Sequence, residues 1–226
     1  MKNKIAALIG VLWLTGLGSS PAAVIRLWEI AFNIDGALYN PNLGDPVPAA
    51  VEASGFDWTT GLGSLTVAVA GTGNHYLGAF FDHDIGNTPN YATVNGTPAA
   101  GQSWEADEPG YVFGNIYPHL AASALDNQNA APPDRPFDTS LALGWSFFLD
   151  AGQSALLTLA LSPDEPQGGF YLAQSDSDSD GPTTLFLSGG LQIQGAPIPD
   201  NGRSLMLLGG AVLALAVCSR LRCFRH

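Results

Sequence analysis

The sequence predicts an all-β domain between residues 24 and 195, an antiparallel β-sandwich of jelly-roll or Greek-key type. Three observations predict it: segments rich in aromatic and branched apolar residues recur along this stretch, Gly, Pro, Asn and Asp cluster between them, and helical periodicity is nowhere convincing. Seven or more short strands without crossover helices are typical of antiparallel sheets packed face to face.

The predicted strands are LWEIAFN, SLTVAVAG, YLGAFFDHD, LALGWSFFLD, SALLTLALS, GFYLAQS, TTLFLS and GLQIQG. In SLTVAVAG the larger side chains from Leu65 to Val69 alternate with smaller ones, and in SALLTLALS those from Leu157 to Leu161 do the same. Because successive side chains of a strand point to opposite faces, we expect each of these sets to face the core.

Turn chemistry predicts two hairpins. SFFLDAGQSALLTLAL would turn at Asp150–Gln153, and TTLFLSGGLQIQ would turn at Gly189 and Gly190. The region from 85 to 140 is poor in regular pattern and rich in Pro, Asn and Asp, which predicts long irregular loops on the sandwich.

Charge is distributed very unevenly. Residues 24–197 carry 19 acidic and only two basic side chains, Arg26 and Arg135. This charge makes nucleic acid an improbable partner, since no basic stripe exists to neutralise phosphates, whereas small cations are plausible partners. Both cysteines, Cys218 and Cys223, fall in the C-terminal tail, so the predicted domain holds itself together without a disulfide.

Residues 1–23 have the organisation of a secretory signal peptide. Lys2 and Lys4 precede an apolar core that runs to about Leu17, and Ser20 and Ala22 stand where a signal peptidase accepts small residues. We therefore expect an N-terminal signal helix, cleavage by signal peptidase and export of the remaining chain.

Residues 196–226 form a second processing segment. A hydrophobic helix is predicted over 204–219, and its uncharged run from Leu205 to Cys218 is 14 residues, only about 21 Å as a helix. The basic tail 220–226 supplies a membrane stop, Arg220, Arg222 and Arg225, which predicts a cytoplasmic C-terminus and an outward-facing domain.

The start of this tail resembles a sorting signal. The motif at 198–202, followed by a weak span and a basic stop, is similar to the PEP-CTERM signals of exosortase systems, in the variant that reads V-P-D-S-G. The matching positions are Ile198, Pro199, Asp200, Asn201 and Gly202, with Ile198 in place of Val and Asn201 in place of Ser. The resemblance implies recognition by an exosortase-like transpeptidase, removal of the tail and transfer to an envelope or extracellular acceptor. A permanent single-span anchor is the alternative.

The domain also resembles a recurring extracellular β-domain of proteins with such tails. GQSWEADEPGYVFGNIY, DTSLALGWSFFLDAGQSALLTLALS and GFYLAQSDSDSDGPTTLFLSGGLQI carry the resemblance, which covers roughly residues 76 to 195. It implies no assigned enzymatic activity and supports an extracellular location.

The segment DSDSDG predicts a calcium site. Asp176, Asp178 and Asp180 alternate before Gly181, as ligands do at positions 1, 3 and 5 of a calcium loop. Position 12, where a bidentate Glu completes such a loop, is Leu187. A solvated Asp/Ser turn on an acidic surface is the favoured explanation, because charged turn residues need no ligand.

Two other acidic segments are candidate metal or catalytic sites. FFDHDIG puts Asp82 and Asp84 on one face of a strand and His83 on the other, which is not a ready-made metal site and suggests the solvent end of a strand. WEADEPG contains Glu105, Asp107 and Glu108, and two of these carboxylates are candidates for the acid and the base of glycoside hydrolysis.

The histidines and the large aromatic residues are the remaining candidate site residues. His75, His83 and His119 are scattered without ligand spacing. The aromatic residues that could stack on sugar rings are Trp28, Trp58, Trp104, Trp145, Tyr111, Tyr117 and Tyr171. Core packing explains Trp145 and Tyr171, whereas Trp58 and Trp104 are the better candidates for exposure.

No catalytic residue is predicted, because G-x-S-x-G, H-E-x-x-H, P-loop and G-x-G-x-x-G motifs do not occur. The sequence favours a secreted, envelope-sorted surface or matrix protein with an acidic body. It predicts no cofactor, and Ca²⁺ at Asp176, Asp178 and Asp180 is the one candidate ion. A Ca²⁺- or carbohydrate-binding module, with a polysaccharide matrix as partner, is the alternative, and a glycoside hydrolase ranks last.

Overall fold

In a computed structural model of the chain, two antiparallel sheets form a β-sandwich, which confirms the all-β prediction. The structure describes residues 24–86, 89–177 and 182–195. The predicted signal helix, the sorting motif, the C-terminal hydrophobic helix and the basic tail lie outside these ranges. Among the described residues, no helix is long and apolar enough to cross a membrane.

The described residues form twelve strands and one α-helix. In chain order they are β1 (Ile25–Ile34), β2 (Ala37–Tyr39), β3 (Val51–Glu52), β4 (Phe56–Asp57), β5 (Leu62–Ala70), β6 (Gly73–Ile85), β7 (Asn90–Asn95), β8 (Gln102–Asp107), α1 (Ile116–Ala121), β9 (Ser140–Leu149), β10 (Ser154–Ser162), β11 (Tyr171–Asp176) and β12 (Thr184–Gln194). One sheet has the order β2-β1-β6-β9-β8, and the other has the order β3-β5-β10-β12-β11-β7 with β4 beside β5.

Alternating side chains fill the space between the sheets. As the pattern predicts, Leu65 and Val67 of β5 and Leu157, Leu159 and Leu161 of β10 are buried there. Burial of each such side chain contributes about 1.5–3 kcal/mol. The alternation in sequence therefore correctly assigned the inner faces of both strands.

Trp145 also lies in this core, as predicted. Tyr171 is buried as well, and its ring lies against Phe186. Trp58 and Trp104, in contrast, are only partly buried and pack against the core, so the prediction that they are exposed platforms is wrong.

The predicted hairpin at Asp150–Gln153 is wrong, although the turn exists. Gln153 N donates to Asp150 O at 3.0 Å, but β9 pairs with β6 and β8 whereas β10 pairs with β5 and β12. The turn thus connects the two sheets. Turn chemistry shows where the chain reverses, but the choice between pairing and crossing depends on distant strands.

The predicted turn at Gly189 and Gly190 is also wrong, since β12 runs straight through both residues. Gly189 pairs with Leu159 and Gly190 with Thr158 of β10. A Cβ atom on Gly189 would lie 2.8 Å from Trp145 Cη2. Glycine is needed there for a close approach between the sheets, not for a turn.

The region 85–140 contains more regular structure than predicted. It includes β7, β8 and the short helix α1, joined by irregular segments. Ile116 and Leu120 of α1 pack against Phe80 on the outer face of the five-stranded sheet. The Asn33 side-chain amide donates to Leu120 O at 2.7 Å and so satisfies a carbonyl at the helix C-terminus. Six residues are too few to give a helical period in the sequence.

Candidate functional site

The outer face of the five-stranded sheet carries two neighbouring rows of side chains. In the first row, the apolar Ala31, Phe80 and Ala142 of β1, β6 and β9 are aligned with Glu105 of β8, and α1 packs on the apolar members. The adjacent row has a different character, because buried polar groups continue across all four strands. Its members are Glu29, Asp82, Ser140 and Asp107, each next to its neighbour in the register.

Asp107 and Glu108 organise the loop that covers this polar row. One Glu108 carboxylate oxygen accepts from the backbone N–H groups of Gly110 (2.9 Å), Phe113 (3.2 Å) and Gly114 (2.6 Å), and the other accepts from that of Val112 at 3.3 Å. Burial opposes ionisation of Glu108, but these four donors outweigh it and lower its pKa.

The carboxylate of Asp107 accepts from the backbone N–H groups of Glu108 at 2.8 Å and Asn115 at 3.0 Å. Asp107 and Glu108 therefore hold both ends of the 108–115 loop by bonds to its own backbone. That structural task accounts for two of the three carboxylates in the predicted hydrolase motif.

The loop places Tyr111 above two members of the row. The Tyr111 hydroxyl donates a short hydrogen bond to Glu29, and its oxygen lies 3.4 Å from Asp82 Oδ2. Asn40 also donates a short bond to Glu29. The Tyr111 hydroxyl has one proton, which it donates to Glu29, so it contributes little hydrogen bonding to the Asp82 carboxylate.

Asp82 is a buried carboxylate with little hydrogen bonding to offset the cost of its burial. Its side chain is only 3% exposed, and its pKa is raised from 3.8 to about 7. Burial is the largest cause, and the charges of Asp138, Asp84 and Glu29 add to it. The Ser140 hydroxyl acts in the opposite direction without offsetting these effects. Asp82 was predicted to mark the solvent end of a strand, and that prediction is wrong.

Trp28 stands at the edge of the same site because β1 contains a bulge. The pairing shifts between Leu27, opposite His83, and Glu29, opposite Asp82, so Trp28 is the extra residue. A bulge re-aims the side chain at its position, and that of Trp28 is 58% exposed.

Together these residues form a cleft of about 250 Å³, lined by Trp28, Asp82, Asp84, Tyr111 and Asp138. We call it the acidic cleft. Burial raises the pKa of Asp138, as do the charges of Glu108 and Asp84. The cleft thus combines a buried carboxylate, Asp82, and two exposed ones, Asp84 and Asp138, with the exposed aromatic side chains of Trp28 and Tyr111.

A second cleft of about 790 Å³ adjoins the first. Asp84 and Asp138 line both, and Arg26, Asn90 and Phe137 line only the larger one. The acidic cleft is therefore continuous, through Asp84 and Asp138, with a cleft of about three times its volume.

The carboxylates of the acidic cleft do not converge as ligands of a single metal ion do. Among the described residues, the group with all donor atoms within 4.8 Å of one another is Glu105, His119 and Asp126. His119 therefore lies beside two other potential metal ligands in the fold, a grouping that its spacing in the sequence does not show.

His83 lies on the core face of β6, opposite to Asp82 and Asp84, as predicted. Its ring stacks on Phe81, and burial lowers its pKa to about 4. His83 is therefore neutral at physiological pH and contributes no charge to the acidic cleft.

Of the predicted calcium ligands, the structure describes Asp176, which ends β11 opposite Asn90. Asp176 is 3% exposed, and its Oδ1 atom has no hydrogen-bond partner among the described residues. Asp178 and Asp180 lie outside the described residues, as do the sorting motif Ile198–Gly202 and the stop residues Arg220, Arg222 and Arg225.

Sequence reasoning missed two residues of the site, Glu29 and Asp138, and identified Trp28 only as one of several aromatic residues that could stack on sugars. One signal was available, because the alternation of LWEIAFN fails between Leu27 and Glu29, as it does at a bulge. No family model, curated protein or solved structure matches the chain.

Proposed function

We propose that this protein is an exported, envelope-sorted surface protein whose β-sandwich binds an organic cation in the acidic cleft. Its role is binding and not catalysis. The signal-like residues 1–23 and the sorting-like residues 198–226 support export and envelope attachment. The charge of the domain supports a cationic ligand.

The observation that carries the binding proposal is the environment of Asp82. A buried carboxylate without adequate donors is costly, and a bound cation supplies both charge and hydrogen bonds. An ammonium group beside Asp82 provides three N–H donors, and the negative charges of Asp84 and Asp138 add to its attraction.

The aromatic walls favour an organic ammonium over a bare metal ion. Trp28 and Tyr111 offer ring faces to a cation, and each such contact contributes about 0.5–1 kcal/mol at an exposed site. Among the described residues, the donor atoms that converge closely enough to hold one metal ion belong to Glu105, His119 and Asp126 and not to the carboxylates of the acidic cleft.

An amino sugar within a polysaccharide combines these requirements. Its ammonium group would face Asp82, its ring would stack on Trp28, and neighbouring sugar units would extend into the larger groove beyond Asp84 and Asp138. A polysaccharide with free amino groups is therefore the proposed ligand.

Calorimetric titration at pH 7 with a tetramer of β-1,4-linked glucosamine tests this proposal, with the fully N-acetylated tetramer as the neutral control. We expect the amino form to bind at least about tenfold more tightly, because an ion pair or charged hydrogen bond contributes about 1.5–3 kcal/mol. Asp84→Asn and Trp28→Ala should each weaken binding, whereas Asp150→Asn in the distant β9–β10 turn should not. Equal affinity for both tetramers, or no binding of either, contradicts the proposal.

A second candidate function is calcium binding at the DSDSDG turn. The specific observation in its favour is the buried Asp176 oxygen that lacks a partner among the described residues. Calcium should then raise the melting temperature of the protein, and Asp178→Ala should abolish this response. A response that persists in the variant rejects this turn as the site.

Export and sorting are tested by intact-mass analysis of the envelope fraction. The mature protein should lack residues 1–23 and the tail beyond the motif at 198–202. A chain that retains residues 203–226 shows a permanent anchor instead, and a full-length chain recovered from the cytosol contradicts export altogether.

A further inference from the structure

We propose that Glu105, His119 and Asp126 form a binding site for one transition-metal dication of the Zn²⁺ type. The site lies beside the polar row and is distinct from the acidic cleft. Glu105 comes from β8, His119 from α1 and Asp126 from the segment after α1, so three separate parts of the chain contribute one ligand each.

The spacing of the donor atoms fits a single ion. His119 Nδ1 lies 3.0 Å from both Glu105 carboxylate oxygens, and all three donor groups lie within 4.8 Å of one another. Two ligands at about 2.1 Å from a zinc ion are roughly 3.0–3.4 Å apart at ordinary coordination angles. A metal ion between His119 and Glu105 would therefore require little movement of either side chain.

Supporting hydrogen bonds orient Glu105. The backbone N–H of Asp126 donates to Glu105 Oε2 at 3.1 Å. With its amide nitrogen directed inward, Asn115 donates to Glu105 Oε1 at 3.0 Å and to Asp107 Oδ2 at 3.0 Å. Metal ligands are commonly held by such outer hydrogen bonds.

The ligand types select the metal. An imidazole with two carboxylates suits Zn²⁺ and its neighbours in the transition series, whereas Ca²⁺ requires six to eight oxygen ligands. Glu105 is buried, so a dication also supplies the positive charge that a buried carboxylate needs.

Access to the site is open from one side. Glu105 is buried, His119 is partly exposed and Asp126 is exposed. Asp126 Oδ1 accepts from the Gln128 backbone N–H at 2.9 Å, which leaves the other oxygen of this carboxylate for a metal. An ion can enter from solvent, and water can complete its coordination.

Titration of the full-length protein in detergent with Zn²⁺ and with Co²⁺ tests the inference. Cys218, Cys223 and His226 also offer metal ligands, so the titration is made in a Cys218→Ser/Cys223→Ser background. One equivalent of Zn²⁺ should bind, Co²⁺ should give the visible absorption of a protein-bound ion, and Ca²⁺ should compete poorly.

Loss of His119 should weaken Zn²⁺ binding by more than the 10- to 100-fold typical for loss of an outer hydrogen-bond partner. His75 provides a matched control, since its Nδ1 lies 2.8 Å from Asp35 Oδ2 but no third metal-ligating side chain of the described residues joins this pair. His75→Gln should bind Zn²⁺ like the parent.

The exposed ligand gives a variant that keeps the fold. Asp126→Asn should lower the Zn²⁺ affinity without loss of the β-sheet circular dichroism of the parent. Absence of one-equivalent binding in the parent, or equal affinity in the parent and in folded His119→Gln and Asp126→Asn variants, overturns the inference. These results are independent of amino-sugar binding, which uses none of the three ligands.

Discussion

Substitution of Asp82 by Asn should make the protein more stable at neutral and alkaline pH. The pKa of Asp82 is about 7 in the folded protein and 3.8 in the unfolded reference. The folded state therefore holds its proton more tightly, and stability is lost as pH rises from about 4 to about 7. At 1.36 kcal/mol per pKa unit, the loss above pH 7 is on the order of 4 kcal/mol.

Asn has nearly the shape of Asp and carries no charge, so Asp82→Asn removes this loss. Since the buried amide also has to be desolvated, we expect a net gain of about 2–4 kcal/mol at pH 8 and almost none at pH 3.5. Urea unfolding of both proteins across this pH range measures the difference, with Asp150→Asn as the exposed control. A loss of stability at pH 8, or a gain that does not change with pH, would refute the reasoning.

Three further predictions concern the loop, the core and a surface pair. Glu108→Gln should destabilise the protein by about 2 kcal/mol at pH 7. The pKa of Glu108 is lowered, so its carboxylate stabilises the fold only while it is ionised, and the cost of the substitution should shrink as pH falls below 4.5. Urea unfolding at pH 7 and at about pH 3.5 measures this cost. Gly189→Ala should cost about 1–3 kcal/mol in thermal unfolding because its Cβ would meet Trp145, whereas Gly190→Ala, which meets nothing within 4 Å, should be nearly neutral. Hydrogen bonding to Asp35 raises the pKa of His75. The pair with protonated His75 therefore stabilises the fold below pH 6.5, and this contribution is lost as pH rises through the pKa of the folded protein. His75→Gln should cost about 0.2–1 kcal/mol more at pH 5.5 than at pH 8.5 in urea unfolding.

Each of these predictions has a contrary outcome. A cost for Glu108→Gln that persists unchanged at pH 3.5 would show that its charge does not hold the loop. Equal effects of the two glycine substitutions would remove the argument for a close approach at Gly189. A larger cost of His75→Gln at pH 8.5 than at pH 5.5 would reverse the sign assigned to the pair.

The faces of the strands could be predicted from sequence because they depend on local alternation. Leu65 and Val67 face the core as expected, and so does His83 on the face opposite Asp82. The pairing of strands could not be predicted in the same way. The Asp150–Gln153 turn is correct as a turn, but only distant partner strands decide that it joins two sheets.

The candidate site depends still more on distant contacts. Register brings Glu29 beside Asp82, and the loop held by Glu108 carries Tyr111 over both. None of these contacts produces a recognisable sequence motif, because the residues are far apart in the chain. From the sequence alone, Asp82 is therefore indistinguishable from an ordinary acidic residue near the end of a strand. The burial that raises its pKa exists only in the folded sheet.

The most direct measurement of the central claim is the titration of the Asp82 carboxyl group by NMR, in aspartate-labelled protein with and without the glucosamine tetramer. The account predicts a pKa near 7 in the free protein and a clear decrease at saturating ligand, because the bound ammonium stabilises the carboxylate. A pKa near 3.8 in the free protein, or one that the tetramer leaves unchanged, would contradict it.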